Sequence, residues 1–223
     1  MGRGRLARGA EFAALFVVLP LALYLGPRHA PALFGTTPPV LPTLALLGAA
    51  LAVALARDPT FDPRRELAWA VPRDALRSVL RRFALLGGGL TALVVVLTPG
   101  VFLSLPRERP LLFALVAVGY PVLSVVPQEL AFRLWLRRRY SGLFGREAGF
   151  VAASAVAFGW AHVIFGNLLA IGLTLVGGAL FAETYRRTGS LALVVLEHAL
   201  YGLLVFTVGL GPYFYGGTLQ ALE

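Results

Sequence analysis

Four ionisable side chains interrupt stretches of this sequence that are otherwise apolar enough to lie in lipid. They are a glutamate–arginine pair, Glu129 and Arg133, and two histidines, His162 and His198. An ionisable group at membrane depth costs roughly 3 kcal/mol on insertion scales, so such groups persist where they pair with one another or take part in chemistry. The sequence therefore predicts a site inside the membrane.

The composition predicts the class of fold. The chain has 223 residues, of which 58% are hydrophobic and 14% are charged, with a mean hydropathy of +0.78. A soluble domain carries charge on about a quarter of its residues. The apolar stretches also approach the ~20 residues that a helix needs to cross a bilayer. We therefore expect an all-α fold, a polytopic bundle of transmembrane helices.

Cysteine content and charge exclude several other functions. The chain has no cysteine, which excludes disulfides and thiolate chemistry. The net charge of +9 comes with 20 basic residues, all arginine, but apolar spans separate them instead of leaving one basic face. Arginines beside anionic lipid explain this charge better, so we expect the lipid bilayer as a partner and no nucleic acid.

Hydropathy predicts about seven spans, with room for an eighth, half-inserted helix in the arginine-rich segment 57–79. That segment is typical of a loop with a short amphipathic helix. The fourth span is too long for one simple crossing and contains Pro121 and Pro127, so we expect a kinked or broken helix there. The predicted spans lie near residues 11–26, 39–56, 80–97, 110–140, 149–165, 167–185 and 189–210.

The distribution of arginine predicts the orientation. With the N-terminus inside, the inner segments hold 16 arginines and the outer segments hold three, Arg28, Arg107 and Arg109. The positive-inside rule therefore predicts a cytoplasmic N-terminus. A chain with arginine alone is typical of bacteria, so we expect the bacterial inner (plasma) membrane. The N-terminal apolar run lacks a clear cleavage site and is expected to be a retained helix.

The candidate site lies in one part of the chain. We divide the sequence into N-terminal transmembrane helices with a basic cytoplasmic loop (1–109), a core that holds every intramembrane candidate (110–210) and a C-terminal tail (211–223). With a rise of 1.5 Å per residue, Glu129, His162 and His198 lie about 16, 21 and 14 Å from the inner ends of their helices. Three helices thus place ionisable groups in one layer near the middle of the bilayer.

Local spacing supports the same site. Glu129 and Arg133 are four residues apart, so they share a helix face and can form an ion pair. Phe158 and His162 have the same spacing, which lets the phenyl ring wall one side of the imidazole. Taken singly, the ion pair could stabilise a kinked helix and each histidine could be a packing residue. Their common depth favours a site.

The residue types indicate hydrolysis. A buried carboxylate can accept a proton from water, and a histidine can donate to a developing oxyanion, which suits cleavage of an amide. Glu129, His162 and His198 also match the ligand set of a hydrolytic zinc site. The helical His-Glu-x-x-His motif is absent, however, and three separate helices would have to supply the ligands. We therefore expect no cofactor, with zinc on these three residues as the alternative.

Three short segments resemble the CPBP family of intramembrane proteases, which includes Rce1-type CAAX prenyl endopeptidases and bacterial Abi proteins. The family pattern is Glu-Glu-x-x-x-Arg, then Phe-x-x-x-His, then His-x-x-x-Asn or a variant. The corresponding segments here are Gln128-Glu129-Leu130-Ala131-Phe132-Arg133, Phe158-Gly159-Trp160-Ala161-His162 and His198-Ala199-Leu200-Tyr201-Gly202. The resemblance covers roughly residues 110–205, in the family's order.

The resemblance implies a glutamate-dependent, metal-independent endopeptidase with an intramembrane cavity. Glu129 and His162 would activate water, His198 would help to hold the oxyanion, and Arg133 would orient the glutamate. The sequence departs from the family pattern at two positions. Gln128 replaces the first glutamate, to which the general base is often assigned, and Gly202 stands where an asparagine donor is common.

We therefore predict an intramembrane endopeptidase that processes the C-terminus or leader of a membrane-associated protein or peptide. Gln128 favours a second hypothesis, a catalytically weakened family member that acts as a membrane immunity or scaffold protein. A small transporter that uses the polar layer as a proton relay is a third hypothesis. The sequence gives this third hypothesis no support from inverted repeats or paired broken helices, which are typical of transporter folds.

Overall fold

The computed structural model describes residues 2–34, 40–66, 71 and 73–214, and every regular element within them is helical. The prediction of an all-α fold is therefore confirmed. Short helical turns connect seven longer helices. The longer helices are α1 (residues 2–29), α2 (Val40–Ala56), α3 (Arg73–Leu97), α4 (Pro110–Phe144), α5 (Glu147–Ala161), α6 (Leu168–Thr188) and α7 (Leu191–Thr207).

The helices have the length and surface of an integral membrane protein. Five of them, α1, α3, α4, α5 with its following turn, and α6, are long and apolar enough to cross a membrane, while α2 and α7 are shorter apolar helices. Large apolar side chains remain exposed on their outer faces, which is expected where lipid replaces water. Examples are Leu85, Val96, Leu111, Val118 and Leu168.

Helix α4 runs without a break through both prolines, so of the two expected alternatives, a kinked or a broken helix, the break does not occur. Proline lacks the backbone N–H that an α-helical turn needs. The helix instead widens into π turns at Pro121–Val125 and Leu130–Trp135, which flank the short α-helical segment Val126–Glu129. Single π turns inside α-helices are frequent at functional sites. Here they lie on both sides of the candidate glutamate.

Helix α3 begins at Arg73, earlier than the predicted start near residue 80. Its first two turns are polar, and Arg77 lies 3.5 Å from Asp74 on the same helix face. Hydropathy marks only the apolar part of such a helix, which explains the late predicted start. One helical turn, Pro63–Glu66, lies in the described part of segment 57–79. The predicted eighth helix also falls on residues 67–70 and 72, which lie outside the described residues.

Arg138 of α4 anchors the loop that follows α2. Its guanidinium contacts the Asp58 carboxylate at 2.8 Å and the Glu66 carboxylate at 2.6 Å. Hydrogen bonds from Arg138 and Thr60 lower the pKa of Asp58 to about 2. The loop is therefore held to the end of the helix that carries the candidate site.

Helices α5 and α6 pack most closely, because glycines remove side chains from their contact. A Cβ atom at Gly159 would lie 3.0 Å from Leu175, and one at Gly178 would lie 3.0 Å from the Cα of Ala155. Small residues allow such close approach between helices in membranes. Helix α1 covers α5 on another side, where the Trp160 indole N–H donates to the Val17 carbonyl at 3.0 Å.

Candidate active site

The centre of the site is a contact between Glu129 on α4 and His198 on α7. The Nδ1 of His198 lies 2.7 Å from Oε1 of Glu129. An ionised carboxylate can only accept a hydrogen bond, so Nδ1 carries the hydrogen and donates it. Helix α7 begins after Ser190, whose hydroxyl accepts from the Leu193 N–H at 3.2 Å. The two predicted residues thus meet, although 68 residues separate them in the chain.

Arg133 balances the charge of Glu129. Its Nε lies 3.1 Å from Oε2 of Glu129, and both side chains are completely buried. The guanidinium also donates to the Ser154 hydroxyl at 2.8 Å and lies over the Phe158 ring at 4.9 Å. The predicted ion pair therefore forms, and its cation has further partners on α5. A buried ion pair needs such additional contacts to offset its desolvation.

Aromatic rings fix the imidazole of His198. Phe181 stacks on it with a centroid distance of 4.7 Å, and Phe158 meets it edge-on at 5.3 Å. The hydroxyl of Tyr120 lies 3.1 Å from Nε2, the nitrogen that Glu129 does not occupy. Both ring nitrogens of His198 therefore have defined partners, one anionic and one neutral.

His162 also contacts the ring of Phe158. Its Nδ1 is 2.7 Å from the Phe158 carbonyl, and because a carbonyl oxygen only accepts, Nδ1 is the donor. The two rings are 4.8 Å apart, as the four-residue spacing predicts. In the neutral ring, Nε2 then carries the lone pair, and it has no hydrogen-bond partner among the described residues. Within this part of the chain no hydrogen bond joins His162 to Glu129 or His198.

The structure shows what contacts Gln128 and Gly202, the two residues that depart from the family pattern. Gln128 is buried, and its amide nitrogen donates to the Ser124 carbonyl at 3.0 Å and to the Ser124 hydroxyl at 2.8 Å. Gly202 follows His198 by one helical turn and faces Tyr120. A Cβ atom at position 202 would collide with the Tyr120 hydroxyl and ring.

The sequence analysis missed several partners of the site. Glu197 is completely buried and accepts a hydrogen bond from Arg82 on α3, which also donates to Thr184 at 2.6 Å. The need of a buried carboxylate for a cation is a signal in the sequence. The sequence does not show that Arg82 is this cation, because a long stretch of chain separates Arg82 from Glu197. Tyr120 and Ser154 carry no charge and lie in apolar helices, so their types gave no signal.

The donor set does not assemble as a metal site. Among the residues that the structure describes, no group of three or more histidine, aspartate and glutamate side chains is placed to hold a metal ion. Glu129 and His198 are hydrogen bonded to each other, and His162 is turned toward the Phe158 carbonyl.

Comparison with known families identifies the part of the chain that carries this site. Residues 110–204 match the family described as Type II CAAX prenyl endopeptidase Rce1-like. The matched range runs from the start of α4 into α7 and contains every site residue named above except Arg82. No curated protein and no solved structure matches the chain.

Proposed function

We propose that the chain belongs, through residues 110–204, to the Rce1-like family of type II CAAX prenyl endopeptidases, and that it hydrolyses a peptide bond of a membrane-associated protein or peptide. The observation that carries this proposal is the buried Glu129–His198 contact, with His162 packed against the same Phe158 ring that contacts His198, in a bundle of apolar helices. We assign Glu129, His162 and His198 to the reaction, with processing of a C-terminus or leader as its purpose.

His198 is suited to stabilise the oxyanion. Its Nδ1–H donates to Glu129, which fixes the ring so that Nε2 points away from the carboxylate. In a doubly protonated ring, Nε2–H is a second donor, and a donor aimed at the developing negative charge stabilises the transition state more than the substrate. Glu129, which is itself paired with Arg133, therefore supports this role by holding the ring in place.

His162 is suited to accept the proton of the attacking water. Its Nδ1–H is committed to the Phe158 carbonyl, so its free Nε2 can act as a base. Water adds to the peptide carbonyl carbon, the C=O π electrons move to oxygen, and the proton passes to His162. When the C=O bond re-forms and the C–N bond breaks, that proton goes to the leaving amine.

Glu129 was expected from the sequence to activate this water together with His162, and this stays a prediction. Glu129 is completely buried in the conformation described here, so solvent does not touch it. Its contact with His198 supports an action through that ring, and a direct contact with water requires the helices around it to part when a substrate enters.

Comparison of protein termini tests the proposal. We expect cells with the wild-type chain to contain a set of N- or C-termini of membrane proteins that is lost in Glu129→Ala and in His162→Ala at matched expression. Glu147→Ala, which removes a largely exposed carboxylate of the same core, should retain them. Mass spectrometry of terminal peptides measures all four strains. Identical termini in the wild type and both site variants would contradict a protease and favour the immunity or scaffold protein.

Gln128→Ala is expected to leave the rate of hydrolysis within about fivefold of the wild type. Gln128 donates only to Ser124 of its own helix, and an amide cannot act as a base. The loss of such local hydrogen bonds costs about 1 kcal/mol each. The rate at which the wild-type-specific termini accumulate after induction measures the effect. A loss as large as that of Glu129→Ala would place Gln128 in the reaction itself.

We further propose a bacterial inner membrane and a cytoplasmic N-terminus. The 16 arginines of the inner segments against three outside support this orientation. The inner ends of α4 and α6 would then carry Arg138 and Arg186 at the cytoplasmic surface.

A further inference from the structure

Tyr120 fills the space that a side chain at position 202 would occupy. A Cβ atom on Gly202 would collide with the hydroxyl oxygen and with two ring atoms of Tyr120. Position 202 is one helical turn after His198, so a side chain there would lie beside the imidazole. Glycine removes that side chain, and the phenol of α4 takes its place next to His198.

The hydroxyl of Tyr120 lies beside the imidazole of His198, where it can donate to a reacting carbonyl oxygen. It lies 3.1 Å from Nε2 of His198, the nitrogen that faces away from Glu129. Two donor atoms this close together can both lie at hydrogen-bonding distance from one further oxygen. The ring of Tyr120 meets Phe206 edge-on at 5.2 Å, which limits its movement, and the side chain stays partly exposed.

The fold also explains why the tyrosine is held at this point. Tyr120 is the last residue of the α-helical part of α4 before the π turn at Pro121–Val125. A wide turn changes the angular position of the residues on either side of it. Glu129 and Tyr120 can therefore both face α7, where they bind opposite nitrogens of the same imidazole.

We propose that Tyr120 is a catalytic residue that donates a second hydrogen bond to the oxyanion, in the place of the side chain that Gly202 lacks. This inference rests on the proposed peptidase function. In the free protein, with His198 in the doubly protonated form that its oxyanion role requires, Nε2–H donates to the Tyr120 hydroxyl oxygen. When the peptide carbonyl enters, its oxygen inserts between the two groups and accepts from both. No proton is transferred from tyrosine, and the hydroxyl returns to His198 when the products leave.

The first test is Tyr120→Phe, which keeps the ring and removes only the donor. We expect the rate of formation of the wild-type-specific termini to fall about 10²- to 10³-fold, the usual effect of losing one oxyanion donor. Tyr201→Phe removes a buried hydroxyl from the residue that precedes Gly202 and should stay near the wild-type rate. A wild-type rate in Tyr120→Phe, or an equal loss in Tyr201→Phe, would overturn the proposal.

A pair of compensating substitutions tests the shared position and guards against a folding defect. Gly202→Asn alone should displace the phenol and Tyr120→Ala alone should remove it, so both single variants should be slow. Tyr120→Ala with Gly202→Asn restores room and a donor, and should be about tenfold faster than Tyr120→Ala, since one donor is worth 10²- to 10³-fold. A double variant no faster than either single variant would contradict a common donor position.

The outcomes separate this inference from the function on which it rests. If the wild type forms no termini beyond those of Glu129→Ala, the proposed peptidase function itself fails. If those termini depend on Glu129 but form at the same rate in Tyr120→Phe, only the assignment of Tyr120 fails.

Discussion

Replacement of His198 by alanine is expected to slow hydrolysis by about 10³-fold or more. The substitution removes an oxyanion donor, which is worth 10²- to 10³-fold alone, and also separates Glu129 from the reacting atoms. Residues that act as one unit have strongly non-additive effects. We therefore expect Glu129→Ala added to His198→Ala to cause little further loss. Initial rates of product formation in matched membranes measure His198→Ala, Glu129→Ala and the double variant.

His29→Ala is the matched control for this prediction. His29 is the one histidine of the chain outside the candidate site. It lies exposed at the end of α1, far in sequence from the core. Its replacement should leave the rate unchanged. If His198→Ala keeps the wild-type rate while Glu129→Ala is inactive, the carboxylate does not act through the imidazole, and direct activation of water by Glu129 is favoured.

Replacement of Arg133 by methionine is expected to destabilise the protein by about 3–5 kcal/mol. Arg133 is completely buried against Glu129, so its removal leaves an unpaired carboxylate in an apolar interior. Addition of Glu129→Gln removes that charge as well and should recover part of the loss, although the double variant stays inactive. The midpoint of thermal unfolding in detergent measures both variants.

An exposed arginine provides the comparison. Arg187 pairs with Glu183 near the end of α6, but its side chain is 70% exposed. Such ion pairs contribute at most about 1 kcal/mol, so Arg187→Met should lower the unfolding midpoint only slightly. An equal fall for Arg133→Met and Arg187→Met would show that the buried pair has no special part in stability.

The sequence predicted the helices and the contacts within single helices because both depend on local information. Each predicted span overlaps one of the seven helices, since apolar length is enough to mark them. The four-residue spacings predicted the Glu129–Arg133 and Phe158–His162 contacts, because residues on one helix keep a fixed geometry. The estimated common depth agreed with the contact between Glu129 and His198.

The remaining features depend on how the helices turn toward one another. The π turns of α4 change which residues face α7, and the prolines predict a disturbed helix without showing which residues it turns toward α7. The contacts of Tyr120 with His198 and of Arg82 with Glu197 join distant parts of the chain. Ser154 became a partner of Arg133 only because α5 lies beside α4. Rotation and pairing of helices, and not hydropathy, decide these contacts.

The packing of Tyr120 against Gly202 also constrains how this site can change during evolution. The two positions cannot both hold a large side chain, so substitution at one depends on the residue at the other. A site without the tyrosine but with a polar residue at position 202 requires two substitutions. If position 202 changes first, its side chain and Tyr120 compete for the same space; if Tyr120 changes first, the site lacks a donor. We therefore expect related sequences to carry one combination or the other, with mixed pairs selected against whenever the reaction is needed.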